Sequence, residues 1–160
     1  MPVIVIGADT PEGAAILPTL EPASGEVRMF VTDPDTGTAL RNRGKVAIGD
    51  VSDGSHVGGA ALGAFCAVAI ARAACDQRER SFADSAADVF AQWADGLHDA
   101  GITRIIFVAT GAEVVIGADL LRSAAPEFAV VDAGLPAGQL GEAVALLEQA
   151  QKISGHHGAG

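Results

Sequence analysis

Met1-Pro-Val-Ile-Val-Ile-Gly7-Ala-Asp-Thr-Pro-Glu-Gly13 is a short apolar strand that runs straight into a turn bracketed by glycines. Strand, tight turn and helix in this order open a nucleotide-binding βαβ unit. The first glycine permits the turn, the last lets the helix pack close to the strand, and a ligand pyrophosphate meets the N–H groups at the helix N-terminus. This turn departs from that chemistry. Thr10 stands at the middle glycine position, Pro11 has no N–H to donate, and Glu12 adds negative charge where a diphosphate lies. Thr10 as N-cap with Pro11 at the first helical position is also a purely structural way to start a helix. Two readings stay open: a weakened dinucleotide turn, or an ordinary βα turn that holds no ligand.

Outward from this turn, the runs Val3–Ile6, Arg28–Thr32, Val46–Ile48, Ala64–Ala71, Arg104–Thr110 and Phe128–Val131 predict strands. Several are continuously apolar, as strands covered on both faces are. Helices are expected at Gly13–Leu20, with Pro18 kinking or ending it, and at Thr36–Arg43, Ser55–Leu62, Phe82–Ala100 and Gln139–Ile153. Phe82–Ala100 is the strongest. Ser81 and Asp84 make a capping-box pattern before it, and Phe82, Val89, Phe90, Trp93 and Leu97 share one face. Strands alternating with helices predict an α/β fold: a three-layer, doubly wound parallel sheet of about six strands, Rossmann-like, in a single domain over 1–153 with a flexible tail at 154–160.

Composition bounds the function. Of 160 residues, 49% are hydrophobic but only 4% aromatic, so the core must be built from Val, Ile, Leu and Ala. A net charge of −10 removes the electrostatic footprint of a nucleic-acid binder. No basic leader precedes the first apolar run, and no run reaches the roughly 18 residues that span a bilayer. Cys66 and Cys75 are then expected to be reduced thiols in a cytoplasmic protein. High Ala, Gly, Asp and Arg with few Lys suggests a bacterial gene.

Asp33 lies twenty residues after Gly13, at the end of the second strand. An acid there accepts from an adenosine ribose 2′-OH and repels a 2′-phosphate. Gly49-Asp50-Val51, after the third strand, is a further adenine-side candidate.

Three segments resemble the atypical short-chain dehydrogenase/reductase superfamily, in particular its NmrA-like NAD(P)-binding branch. They are Val3–Gly13, Lys45–Gly63 with its Gly49-Asp50 step, and Ala100–Thr110 with the Ala100-Gly-Ile-Thr-Arg lead into a strand. The resemblance implies that Gly7, Thr10, Glu12 and Gly13 form the phosphate turn, that Asp33 selects NAD(H) over NADP(H), and that Asp50 and Val51 meet the adenine. Thr110 matches a serine or threonine at the end of the fifth strand. Several NmrA-like proteins carry a basic residue near Asp33, for which Arg41 and Arg43 are the nearest substitutes. The family's reductases use a Tyr-x-x-x-Lys pair, whereas this chain has no tyrosine and two lysines, Lys45 and Lys152. The family's C-terminal substrate extension is also missing, as in a truncated member.

The expected function is therefore a non-catalytic NAD(P)-binding or nucleotide-sensing protein. The alternatives are a ligand-free interaction or scaffold protein, and a reductase that needs a partner subunit to supply the acid/base. A small nucleotide, a second copy or another protein are the expected partners; nucleic acid and membrane are not. Elsewhere, Cys66 reads as a buried inert thiol and Trp93 as packing. Cys75, beside Arg72, Arg78 and Arg80, reads as a loop cysteine or a ligand-sensing thiol. His56 and His98 read as surface residues. His156 and His157 lack the partners a metal site requires.

Overall fold

The computed structural model describes residues 2–20, 25–153 and 158–159. β1 (Val3–Ile6) leads into α1 (Pro11–Ile16), a 3-10 turn (Leu17–Thr19) and β2 (Val27–Val31). Then follow α2 (Pro34–Leu40), β3 (Lys45–Ile48), α3 (Gly54–Ala61), β4 (Cys66–Ile70) and the one-turn α4 (Arg72–Cys75). The second half holds α5 (Ala86–Asp99), β5 (Arg104–Ala109), α6 (Gly111–Arg122), β6 (Glu127–Asp132), α7 (Ala137–Gln149) and the two-residue β7 (Gly158–Ala159).

The strands form one sheet in the order β3-β2-β1-β4-β5-β6-β7, every pair parallel. Chain order reverses between β1 and β4, so the crevice of this doubly wound sheet opens there, at the C-terminal ends of the strands. Alternate residues feed two cores. Ile4, Ile6, Phe30, Ile105 and Phe107 pack with α3, α5 and α6, while Val3, Val5, Met29, Ile106 and Val108 pack with α1 and α7. That double cover is why the runs are continuously apolar.

The α/β class, the single domain and the doubly wound sheet agree with the sequence reading. β7 is a minor edge addition that pairs with Val130 and Val131; the remainder of the expected tail, including His156 and His157, lies outside the described residues.

Three differences from expectation have a clear physical cause. The long helix begins at Ala86, because the Ser85 hydroxyl, not that of Ser81, accepts from the third helical N–H, that of Asp88, at 3.2 Å. Phe82 is consequently not on the buried face and is 60% exposed. The last helix stops at Gln149 because Ala150 turns extended. There the buried Arg104 gathers the carbonyls of Leu147, Glu148 and Ala150 while its other nitrogens fork onto Glu127 at 2.8 and 2.6 Å. Finally, α6 has no counterpart among the expected helices. Glycines and β-branched residues depress its helix propensity, yet Gly117 is demanded by packing, since a Cβ there would come within 2.8 Å of both Phe90 and Phe107. Its sequence signal is the spacing of Thr110 and Glu113, whose carboxylate accepts from the Thr110 N–H and hydroxyl at 2.8 and 3.0 Å.

Candidate functional site

The turn between β1 and α1 has few amides left to offer a ligand. Gly7 and Ala8 both donate to the Phe30 carbonyl, Thr10 N–H donates to the Gly7 carbonyl, and Gly13 N–H donates to the Thr10 hydroxyl at 3.0 Å. The Thr10 hydroxyl in turn donates to the Gly7 carbonyl at 2.6 Å. Both glycines are required by the corner itself. Gly7 has φ +86° and a Cβ there would lie 2.9 Å from that of Ala73, so α4 sits directly on the turn. A Cβ on Gly13 would lie 2.4 Å from the Ala8 carbonyl oxygen.

Glu12 is buried, and its two oxygens accept from Arg72 Nε and Nη2 at 2.7 and 2.8 Å. Glu12 follows β1 and Arg72 follows β4, so this forked ion pair bridges the switch point. The Glu12 hydrogen bond strengthens the hold of the Arg72 guanidinium on its proton. The pair stands at the N-terminal end of α1, the end of a helix that favours negative charge.

Next to this pair, the loop at 76–85 folds over the C-terminal ends of β1, β2 and β3. Arg78 Nη1 donates to Asp9 Oδ1 at 2.8 Å and to Thr32 Oγ1 at 3.2 Å, and Nε and Nη2 fork onto Asp76. Asp9 Oδ2 accepts from the N–H groups of Thr32 and Asp33 at 2.9 and 3.1 Å. Asp50 accepts from Ser52 N–H and hydroxyl through one oxygen and from Ser81 N–H through the other, at 2.7 Å. Ser52 Oγ accepts from Phe82 N–H at 2.9 Å, and the Val51 carbonyl accepts from Trp93 Nε1 at 2.8 Å. Asp33, the expected ribose partner, is exposed and turns its carboxylate into its own helix, accepting from Thr36 N–H at 3.0 Å. The Thr36 hydroxyl lowers the Asp33 pKa further. Arg41 and Arg43 lie beyond the far end of α2, away from Asp33 at its N-cap.

Gly7, Thr10, Glu12, Gly13, Asp33, Asp50, Val51 and Thr110 therefore all stand along one edge of the sheet. Glu12, Asp33, Asp50 and Thr110 nevertheless have their polar atoms engaged by this chain. The residues that engage them from elsewhere, Arg72 and Ser81, and the turn's own Asp9 with its partner Arg78, were not among the expected site residues. The crowding of arginines at 72–80 was the available signal. Lys45 and Lys152 both stand near the opposite edge: Lys45 begins β3 and pairs with Glu26 at 2.9 Å, and Lys152 sits by Glu127.

A cavity of about 170 Å3 lies open at the crevice between Glu12, Arg72, Cys75, Thr110 and Glu113. A dinucleotide needs several hundred. Burial, then the Glu113 charge and hydrogen bond, push the Cys75 thiol up, outweighing Arg80. The neighbouring arginines therefore do not activate it. Cys66 is fully buried and burial pushes its thiol far up. His56 is exposed, its ring edge-on to Phe30, and His98 is exposed on α5. Among the described residues no group of three His, Cys, Asp or Glu side chains is arranged to hold a metal, and no helix is long and apolar enough to cross a membrane.

No family model matches the chain, and no curated protein matches it in sequence. Solved structures do match in fold. Triphenylmethane reductase of Citrobacter sp., complexed with NADP(H), superposes with a TM-score of 0.76 at 14% identity, over 98% of this chain and 68% of its own. An Escherichia coli NADPH-dependent quinone oxidoreductase complexed with NADPH gives 0.77 at 14% identity, over 97% and 67%. An anaerobillin reductase from Escherichia coli O157:H7 gives 0.72 at 18% identity, over 98% and 95%. At these identities the likeness is one of fold, and the fold is the Rossmann-like arrangement expected from the sequence.

Proposed function

We propose that this chain is a nucleotide-binding module of the NAD(P) type that senses its ligand without transforming it. The observation that carries this reading is the convergence of Arg72 and Arg78, brought by one segment, on Glu12 and Asp9, two carboxylates of the β1–α1 turn. In a chain of net charge −10, arginines gathered at a switch-point crevice are suited to anionic ligand groups, and the turn's carboxylates hold the place of phosphates until a ligand exchanges with them. The fold likeness to reductases crystallised with NADP(H) supports the ligand class. The non-catalytic part rests on chemistry: the chain has no tyrosine, its two lysines stand near the other edge of the sheet, and the Thr110 hydroxyl is bound to Glu113.

A ligand-free interaction domain is the second reading, favoured by the Glu12–Arg72 pair that already fills the phosphate position. Thermal melts with NAD(H), NADP(H) and ADP separate the two. A ligand that binds the folded state raises Tm by linkage, and at a hundred times Kd the gain is about 2.7 kcal/mol. No rise at millimolar concentration of any of them would sink the nucleotide reading and leave the interaction domain.

A further inference from the structure

We propose that the segment 76–85 is a strap that the crevice holds closed over its adenosine side, and that a nucleoside diphosphate must lift it to bind; this deepens the nucleotide reading above and rests on it. Three polar anchors run from the strap to the crevice floor: Arg78 to Asp9 and Thr32, Ser81 N–H to Asp50, and Phe82 N–H to Ser52. Ser52 is fully buried, and Asp9, its side chain 4% exposed, simultaneously accepts the amides that end β2.

Apolar burial contributes little to the closure. No residue from Cys75 to Asp88 is buried, the one large apolar side chain, Phe82, faces solvent, and only Ala83 and, at the start of α5, Ala86 lean on the core. The flanks are fixed, by Ala73 and Ala74 on one side and Val89 and Phe90 on the other. A segment tied by hydrogen bonds between two rigid ends opens locally without unfolding the domain. Closure and occupancy exclude one another, because Asp9 and Asp50 hold the strap from the positions where ligand phosphate and adenine belong. Arg78 exchanges Asp9 for a phosphate oxygen, and the strap lifts with it.

The test measures amide hydrogen exchange and ADP affinity on the full chain. Asp9→Asn keeps an oxygen for the Thr32 and Asp33 amides but removes the charge that holds Arg78. Arg78→Gln cuts the same link from the strap and leaves the turn intact. Exchange at Ser81 and Phe82 is expected to quicken about tenfold in both variants while Val89–Leu97 stay protected, and ADP should bind Asp9→Asn about tenfold more tightly than wild type. Unchanged exchange at Ser81 and Phe82 overturns the strap. Equal ADP affinity in all three proteins overturns it too, with the nucleotide function standing. Faster exchange with no ADP bound by any of them overturns the nucleotide function, and the strap as its cover falls with it.

Discussion

Glu12 and Arg72, sixty residues apart, meet in a two-pronged ion pair of 2.7 and 2.8 Å across the point where the order of the sheet reverses. Half of the Arg72 side chain is open to solvent, so the pair adds no more than about 1 kcal/mol to stability. Its larger consequence is electrostatic, because it sets a carboxylate at the N-terminal end of α1. Glu12→Gln should leave the urea midpoint nearly unchanged and tighten ADP binding several-fold by removing that repulsion. Calorimetric titration of both proteins checks this; an unchanged affinity would place the diphosphate elsewhere.

Gly7→Ala should destabilise the domain by at least about 1–2 kcal/mol, since the residue has φ +86° and its new Cβ would press on Ala73. The loss should be the same with and without nucleotide. A loss seen only as weakened ligand binding would show that the glycine serves the ligand and not the corner. Chemical denaturation with and without ADP makes the comparison.

Arg104→Met should be far more damaging, by about 3–5 kcal/mol, because it strands the Glu127 carboxylate and the carbonyls that close α7. The double variant Arg104→Met with Glu127→Gln should recover part of the loss. A denaturant series over wild type, the two single variants and the double variant measures the coupling.

Acid should weaken the strap's anchors. Burial alone would raise the pKa of Asp50 and of Asp76, but hydrogen bonds from Ser52 and Ser81 to the first and from Arg78 to the second outweigh it, and both end below the ordinary 3.8. A carboxylate with a lowered folded-state pKa adds stability that is present above 3.8 and is lost as pH falls through the folded value. Carboxyl carbon titrations by NMR should therefore give midpoints under 3.8 for both residues, with their contribution to stability level from pH 7 down to about 5 and lost progressively below it. A midpoint above 3.8 for Asp76 would mean that Arg78 does not hold it in solution.

The two thiols should separate cleanly. Cys75 is exposed but has its pKa raised, so a disulfide reagent should label it slowly at neutral pH and faster as pH rises. Cys66, wholly buried in β4, should react only at the rate of global unfolding. One fast and one blocked thiol at pH 7 would contradict the Cys75–Glu113 contact.

Local chemistry in the sequence determined the architecture. Runs such as Val3–Ile6 and Ile105–Ala109 are apolar without alternation, as strands of a parallel sheet covered on both faces are; Gly7, Thr10, Pro11 and Gly13 shape a strand-to-helix corner from within seven residues. Edges set by competing caps were less legible. Ser81 and Ser85 both offer a hydroxyl before an acidic residue, and the loop's bonds to Asp50 and Ser52 decide between them. α6 escaped notice because its glycine is there for Phe90 and Phe107, which are neighbours only in space. The state of the crevice belonged wholly to the tertiary structure. Asp9 meets Arg78 and Glu12 meets Arg72 only after the chain crosses from β1 through β3 and back to β4. Charge pairing over sixty or more residues leaves no periodic trace along the chain, so the residues that shape the β1–α1 turn could be read from sequence, whereas those that close over it could not.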